Sequence, residues 1–138
     1  MLAAAVPSWR LFFAVPMPPA DALRLVDALE PYAAAFPSAR WQRPDAYHVT
    51  VWFLGATPPD RVPGLVDLAQ RCTDGGAPFR MSTGPGDGLL RGAGSVAWCR
   101  IVQGEHAASR ISGCLVDDPV SLLPGARPAP PHLTVARR

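Results

Sequence analysis

Apolar and polar positions along this chain fall into short alternating runs, separated by stretches with helical spacing. The first run, Trp9 to Val15, carries Trp9, Leu11, Phe13 and Val15 on one side and Arg10, Phe12 and Ala14 on the other, and Pro16 stops it. With both sides largely apolar, it predicts an interior strand covered on both faces. Pro18 and Pro19 then open a helix from about Ala20. Ala22, Leu25, Val26, Leu29 and Tyr32 form its apolar stripe, and Pro31 is expected to kink or end it. Trp41 begins a short strand, and Arg43-Pro44-Asp45 reads as a turn.

A second helix is expected from the Pro58-Pro59-Asp60 run to about Cys72, with Val62, Leu65, Val66, Ala69 and Cys72 as its inner face. Asp74-Gly75-Gly76 ends it. Pro78 to Thr83 and Ser95 to Val102 read as an antiparallel pair of strands. Between them, residues 84–88 are a Gly-rich loop that lacks the spacing and the Lys-Ser/Thr pair of a phosphate cradle. Glu105 to Val116 is a short helix with Ala108, Ile111 and Leu115 inward, and His106 in its first turn is expected to be exposed and without a role. Leu122 to Pro131 is Pro-rich and irregular.

Two strands stand apart from the rest. Tyr47-His48-Val49-Thr50-Val51-Trp52-Phe53-Leu54-Gly55 is a β-prone run that Gly55 is expected to close. Alternation puts His48 and Thr50 on one face, with Trp52 following, and Val49, Val51 and Phe53 on the other. The pattern returns in Pro131-His132-Leu133-Thr134-Val135-Ala136-Arg137. Of three histidines in the chain, two therefore sit in the same local frame.

Composition narrows the picture. A length of 138 residues with 49% hydrophobic and 17% charged positions suits one soluble globular domain, 1–138, in which 1–8 is a disordered or edge segment. No apolar run approaches a membrane span, and the apolar start lacks the basic flank of a signal peptide. All 13 basic residues are Arg, yet the net charge is only +2 and no run is dense enough to make a basic patch. Cys72, Cys99 and Cys114 are odd in number and widely spaced. They suggest neither a disulfide framework nor a metal motif, which favours a reducing cytoplasm and makes Cys72 a small core residue.

Paired histidines in strands suit phosphoester chemistry without a metal. One imidazole takes a proton from the attacking hydroxyl and the other gives one to the leaving oxygen; an ordinary imidazole, titrating near about 6.5, does either near neutrality. Threonine hydroxyls beside the rings supply donors to the phosphoryl oxygens, and Arg137 a forked cationic contact. No third residue at metal-ligand spacing accompanies the two histidines, Asp45 being poorly placed, so no metal and no cofactor are expected.

His48-Val-Thr50-Val with Phe53-Leu54-Gly55, and Pro131-His132-Leu-Thr134-Val-Ala136-Arg137, resemble the two signature motifs of the 2H phosphoesterases. Within them the chain is most similar to the 2′-5′ RNA ligase group, also called RNA 2′,3′-cyclic phosphodiesterases. Arg10 to Val15, Trp41 and the Trp98 strand fit as well. The resemblance implies an α+β fold, with two lobes of antiparallel sheet around a central cleft and helices outside. It implies metal-free hydrolysis of a 2′,3′-cyclic phosphate on an RNA end or small nucleotide to a 2′-phosphomonoester, with joining or cleavage of 2′-5′ linkages as a further activity. By the same analogy His48 is the proton donor, His132 the acceptor that activates water, and Thr50, Thr134 and Arg137 hold the phosphate.

Compared with that family the chain stops soon after the second motif. A shortened second lobe with an unpaired strand edge is the expectation, and the oligomeric state stays open. Trp52 is a candidate to stack on a nucleobase, or else packs the floor of the cleft. The rival to an enzyme is a module that grips RNA ends or nucleotides without turning them over. Two intact His-x-Thr pairs argue against it, because binding alone needs no proton-transfer groups.

Overall fold

The computed structural model describes residues 4–84, 96–128 and 131–137. In chain order its elements are β1 (Trp9–Pro16), α1 (Pro19–Ala35), β2 (Arg40–Trp41), β3 (His48–Thr57), α2 (Val62–Thr73), β4 (Ser82–Thr83), β5 (Val96–Gln103), α3 (Glu105–Asp117), β6 (Arg127–Pro128) and β7 (His132–Arg137). Single 3-10 turns lie at Pro44–Ala46, Pro59–Arg61 and Pro119–Ser121. Helices on antiparallel strands give the α+β class that was expected. The chain divides into two units, one of Met1–Phe13, Thr50–Phe79 and His106–Pro130, the other of Ala14–Val49, Arg80–Glu105 and Pro131–Arg138.

In the second unit β7 is the central strand. β5 runs antiparallel along one edge of it, from Arg100↔His132 to Val96↔Arg137. Along the other edge lie the start of β3, through Val49↔Leu133, and β2, through Arg40↔Arg137 and Trp41↔Ala136. Among the described residues β7 thus has partners along both of its edges, and the order ends on the two-residue β4. Ala22 and Leu29 of α1 cover one face of this sheet, packing with Tyr47, Ala97, Cys99, Leu133, Val135 and Ala136. β4 adds to β5 antiparallel, as expected, but the pairing is confined to Ser82 and Thr83. Residues 85–88 of the Gly-rich loop lie outside the described residues.

α1 does not end at Pro31 but continues to Ala35. A proline inside a helix removes a single backbone donor, and Ala33-Ala34-Ala35 after it are the strongest helix formers. The expected stripe is only partly used: Ala22 and Leu29 are buried, while Val26 and Tyr32 are exposed.

In the first unit, β3 continues through Gly55 to Thr57 instead of closing there. Gly55 has φ +73°, and a Cβ on it would stand 3.0 Å from the Cα of Gly125, so the chain crossing at this point requires glycine. Val51, Trp52 and Leu54 of β3 are buried, as are Leu65 and Leu68 of α2 and Ala108 and Leu115 of α3. The inner face of α2 is thus set by Leu65 and Leu68, and Val66, assigned inward from the sequence, is exposed. α3 is tied to β3 by the Ser112 hydroxyl, which donates to the Val51 carbonyl at 2.7 Å.

Two further expectations are overturned. Cys72 is not a lone core residue: it is bonded to Cys114 across 42 residues, because the end of α2 and the middle of α3 come within 5.6 Å between Cα atoms. Only Cys99 is a free thiol, so the argument from unpaired cysteines to a reducing compartment loses its basis. β1 is not an interior strand but stands at the end of the strand order, with Trp9 and Phe12 exposed. Two apolar faces signal burial only when both find a covering layer. Among the described residues no helix is long and apolar enough to cross a membrane.

Candidate active site

The histidines, and most of the residues expected to serve them, lie on one face of the second unit's sheet. Antiparallel pairing at Val49↔Leu133 sets His48 opposite Thr134, one step along each strand. Across the other edge of β7, His132 stands opposite Arg100 and Thr134 opposite Trp98. Val49, Leu133 and Cys99 alternate to the other side, where each is at most 5% exposed. His132 and Thr134 are half-buried, and Arg100 and Trp98 are exposed.

Strict alternation would turn Arg137 away from this face, since it lies five residues past His132. The structure brings it back. The register passes from Trp98↔Thr134 directly to Ala97↔Ala136, so β7 carries one extra residue, Val135. This is a β-bulge, and it shifts the alternation beyond it. Val135 and Ala136 are both fully buried, and Arg137 rejoins the open face opposite Val96. The bulge leaves no polar group stranded, because the Val135 carbonyl accepts from the Gln42 N–H at 2.8 Å.

His48 starts β3 directly after the 3-10 turn at Pro44–Ala46. Its Nδ1 lies 2.8 Å from the Ala46 carbonyl. A carbonyl can only accept, so Nδ1 carries the hydrogen, and Nε2 is the nitrogen whose protonation can change. The Trp98 ring meets the His132 imidazole nearly edge-on, with centroids 5.8 Å apart and planes at 70°, which limits the ring's rotation. Thr50 lies two residues beyond His48 on β3 and is buried, at 6% exposure. Asp45 is engaged by Arg43 at 3.1 Å.

Trp52 does not fit the stacking role. It is buried, and its indole N–H donates to the Ser121 carbonyl at 3.2 Å inside the first unit. A ring packed and hydrogen-bonded in a core has no face to offer a base, which leaves the packing alternative. His106 is exposed, as expected. Sequence reasoning missed Arg100 and the placement of Trp98 against His132. Trp98 and Arg100 are two apart on a β-prone run and so share a face, but only the β5–β7 register shows which residues they oppose.

The burial of Cys99 on the covered face pushes its thiol above the ordinary value. Tyr47 is raised as well, by burial first and then by the neighbouring Cys99. Both belong to the core beneath the face and not to its chemistry.

Known proteins share this fold. Residues 15–84 match the family described as LigT-like phosphoesterases. The RNA 2′,3′-cyclic phosphodiesterase of Thermus thermophilus is 31% identical over 140 residues, spanning 94% of this chain and 68% of that protein. A crystal structure of a Thermus thermophilus protein superposes with a TM-score of 0.73 at 26% identity, over 94% of this chain and 74% of that one. Escherichia coli LigT complexed with 3′-AMP superposes at 0.66 and 22% identity, over 95% and 73%, a likeness of fold. The fold, and the family match across the first motif, are those of a 2H phosphoesterase. Within that class, the chain belongs to the LigT-like phosphoesterase family.

Proposed function

We propose that this chain hydrolyses 2′,3′-cyclic phosphates on RNA ends or small nucleotides to 2′-phosphomonoesters by metal-independent acid–base catalysis. The observation that carries the reading is the shared face of His48, His132 and Thr134, with Arg100 and Arg137 beside them. The name of the Thermus thermophilus relative supports the substrate class. So does the 3′-AMP complex of Escherichia coli LigT, as an instance of a nucleotide held on this fold.

In this reaction His132 takes a proton from water as the oxygen attacks phosphorus. The bond from phosphorus to the 3′ oxygen breaks, and His48 delivers a proton to that oxygen from Nε2. The hydrogen bond from Nδ1 to Ala46 fixes the His48 ring so that Nε2 faces the reaction. Negative charge growing on the phosphoryl oxygens is met by the hydroxyls of Thr50 and Thr134 and by the guanidinium of Arg137, joined by that of Arg100. With a ribose 5′-hydroxyl attacking phosphorus in place of water and the 3′ oxygen again leaving, the same groups would join a 2′-5′ linkage; in the reverse direction the 3′-hydroxyl attacks, the 5′ oxygen leaves and the linkage is cleaved.

The test is hydrolysis of a short RNA with a 2′,3′-cyclic phosphate end, in EDTA, by the intact chain and by His48→Ala and His132→Ala. Turnover should survive EDTA, yield a 2′-phosphate and fall by at least about 100-fold in each variant. Tight binding of the RNA end with no turnover by the intact chain would replace the enzyme with the binding module. Loss of turnover in EDTA would overturn the metal-free mechanism.

A further inference from the structure

The first unit holds a second feature that the reaction above does not use. A cavity of about 230 Å³ is lined by Arg10 and Phe12 of β1, Phe53 and Gly55 of β3, and Gly125 and Arg127. Register pairs Phe53 with Arg127, and the Arg127 guanidinium lies over the Phe53 ring, 4.8 Å from its centre. The Phe12 ring stands 6.3 Å from the Phe53 ring, tilted by 55°. Phe12 is 45% exposed, so aromatic surface remains open to solvent here. Among the described residues the lining carries two guanidinium groups and no carboxylate.

These components point to one ligand chemistry. Aromatic rings and a guanidinium plane are the surfaces on which unstacked bases lie, and arginine also forks onto phosphate oxygens. A stacked cation on an aromatic ring offers a flat base a polarised platform. A cavity of this size accommodates part of a nucleotide and not a duplex. The close crossing of Gly55 and Gly125 forms its floor, where a side chain on Gly55 would meet the Gly125 backbone at 3.0 Å.

We propose that this pocket seats one nucleotide of a single-stranded RNA. The base stacks on Phe12 and on the Arg127–Phe53 pair, and the phosphate is held by Arg10 and Arg127. The proposal rests on RNA as the substrate class and gives the chain a grip on the strand in addition to the phosphate chemistry of the histidines.

The probe is an unmodified single-stranded RNA tetranucleotide, titrated calorimetrically into the His48→Ala/His132→Ala protein, in which no turnover complicates binding. In that background Arg127→Gln and Phe12→Leu should each weaken binding at least tenfold. Arg10→Gln should reduce the slope of log affinity against log salt by about one unit or less. Phe12→Leu changes an exposed ring, and unfolding curves confirm that each variant is folded. Affinities within twofold of the background protein in both Arg127→Gln and Phe12→Leu would overturn the proposal. So would inorganic phosphate competing as well as the tetranucleotide, which would mean an anion site with no base recognition. Turnover of a cyclic phosphate by the unmodified protein is measured separately. Its absence with this binding intact would overturn the catalytic reading and leave the pocket standing.

Discussion

Each residue of the open face is placed by a single backbone relationship, and Arg100 shows what such a relationship can add. Its guanidinium shares a cross-strand position with His132, where a charged donor to a phosphate oxygen contributes about 1.5–3 kcal/mol when the pair is well made. On an exposed strand the lower end applies. Arg100→Gln should raise KM for a cyclic phosphate by somewhat over about tenfold with a smaller change in kcat, and steady-state kinetics read the split. A KM within twofold of the unsubstituted protein would remove Arg100 from the site. Trp52 carries the opposite expectation. Trp52→Phe keeps most of the ring but leaves the Ser121 carbonyl without its donor, at a cost of about 1–3 kcal/mol in unfolding free energy and no change in KM. A raised KM with unchanged stability would restore the stacking role. His48, Thr50, His132 and Thr134 were legible in the sequence because a period of two is local to a strand. Arg100 was not singled out, since the residue opposing His132 is decided by a register between segments far apart in the chain. Arg137 was legible by its charge close behind the second motif and by the family resemblance, but not by alternation, which contradicts it until the extra residue at Val135 is seen.

Elements were read well where their signals are local and less well where a partner decides. The positions of α1, α2 and α3 and of β1, β3, β5 and β7 follow from apolar spacing and from Pro and Gly punctuation. What spacing cannot give is the neighbour. The inner face of α2 depends on what packs against it, β1 is an edge because the strand order ends on it beside β3, and Cys72 found Cys114 because α2 and α3 come together. That bond has a measurable consequence. Closing a loop of 42 residues removes denatured-chain entropy worth about 3–4 kcal/mol. Cys114→Ser, or reduction of the intact chain by dithiothreitol, should lower unfolding free energy by about 2–4 kcal/mol in urea titrations. Equal midpoints with and without reductant would show that the link between the helices adds nothing to stability. The Arg71–Asp118 contact at 3.4 Å also lies in this unit, but it is half-exposed and contributes much less.

Over the whole molecule, an absence in the composition makes one pH experiment unusually clean. The 13 basic residues are all arginine, which stays charged throughout the accessible range, so no lysine titration obscures the alkaline limb. Two groups buried beneath the open face respond there. The Cys99 thiol is held above its ordinary 9.0, and the Tyr47 phenol above its ordinary 10.0. Below about pH 9 both groups are protonated in the folded and unfolded chains alike, and stability does not depend on them. As pH rises past 9.0, the unfolded chain releases the Cys99 proton while the folded chain retains it, and past 10.0 the same holds for Tyr47. The unfolded state then binds fewer protons, so stability falls with increasing pH. Unfolding free energy should be level from about pH 7 to about 8.5 and decline above about pH 9. Cys99→Ala should remove the first part of the decline, and Tyr47→Phe the second. The sheet face that carries the histidines has these two groups on its reverse, so catalysis should fail over the same alkaline range in which the core opens. A stability profile that stays level through about pH 10.5, or one unchanged by Cys99→Ala, would mean that burial at this position does not hold the thiol neutral.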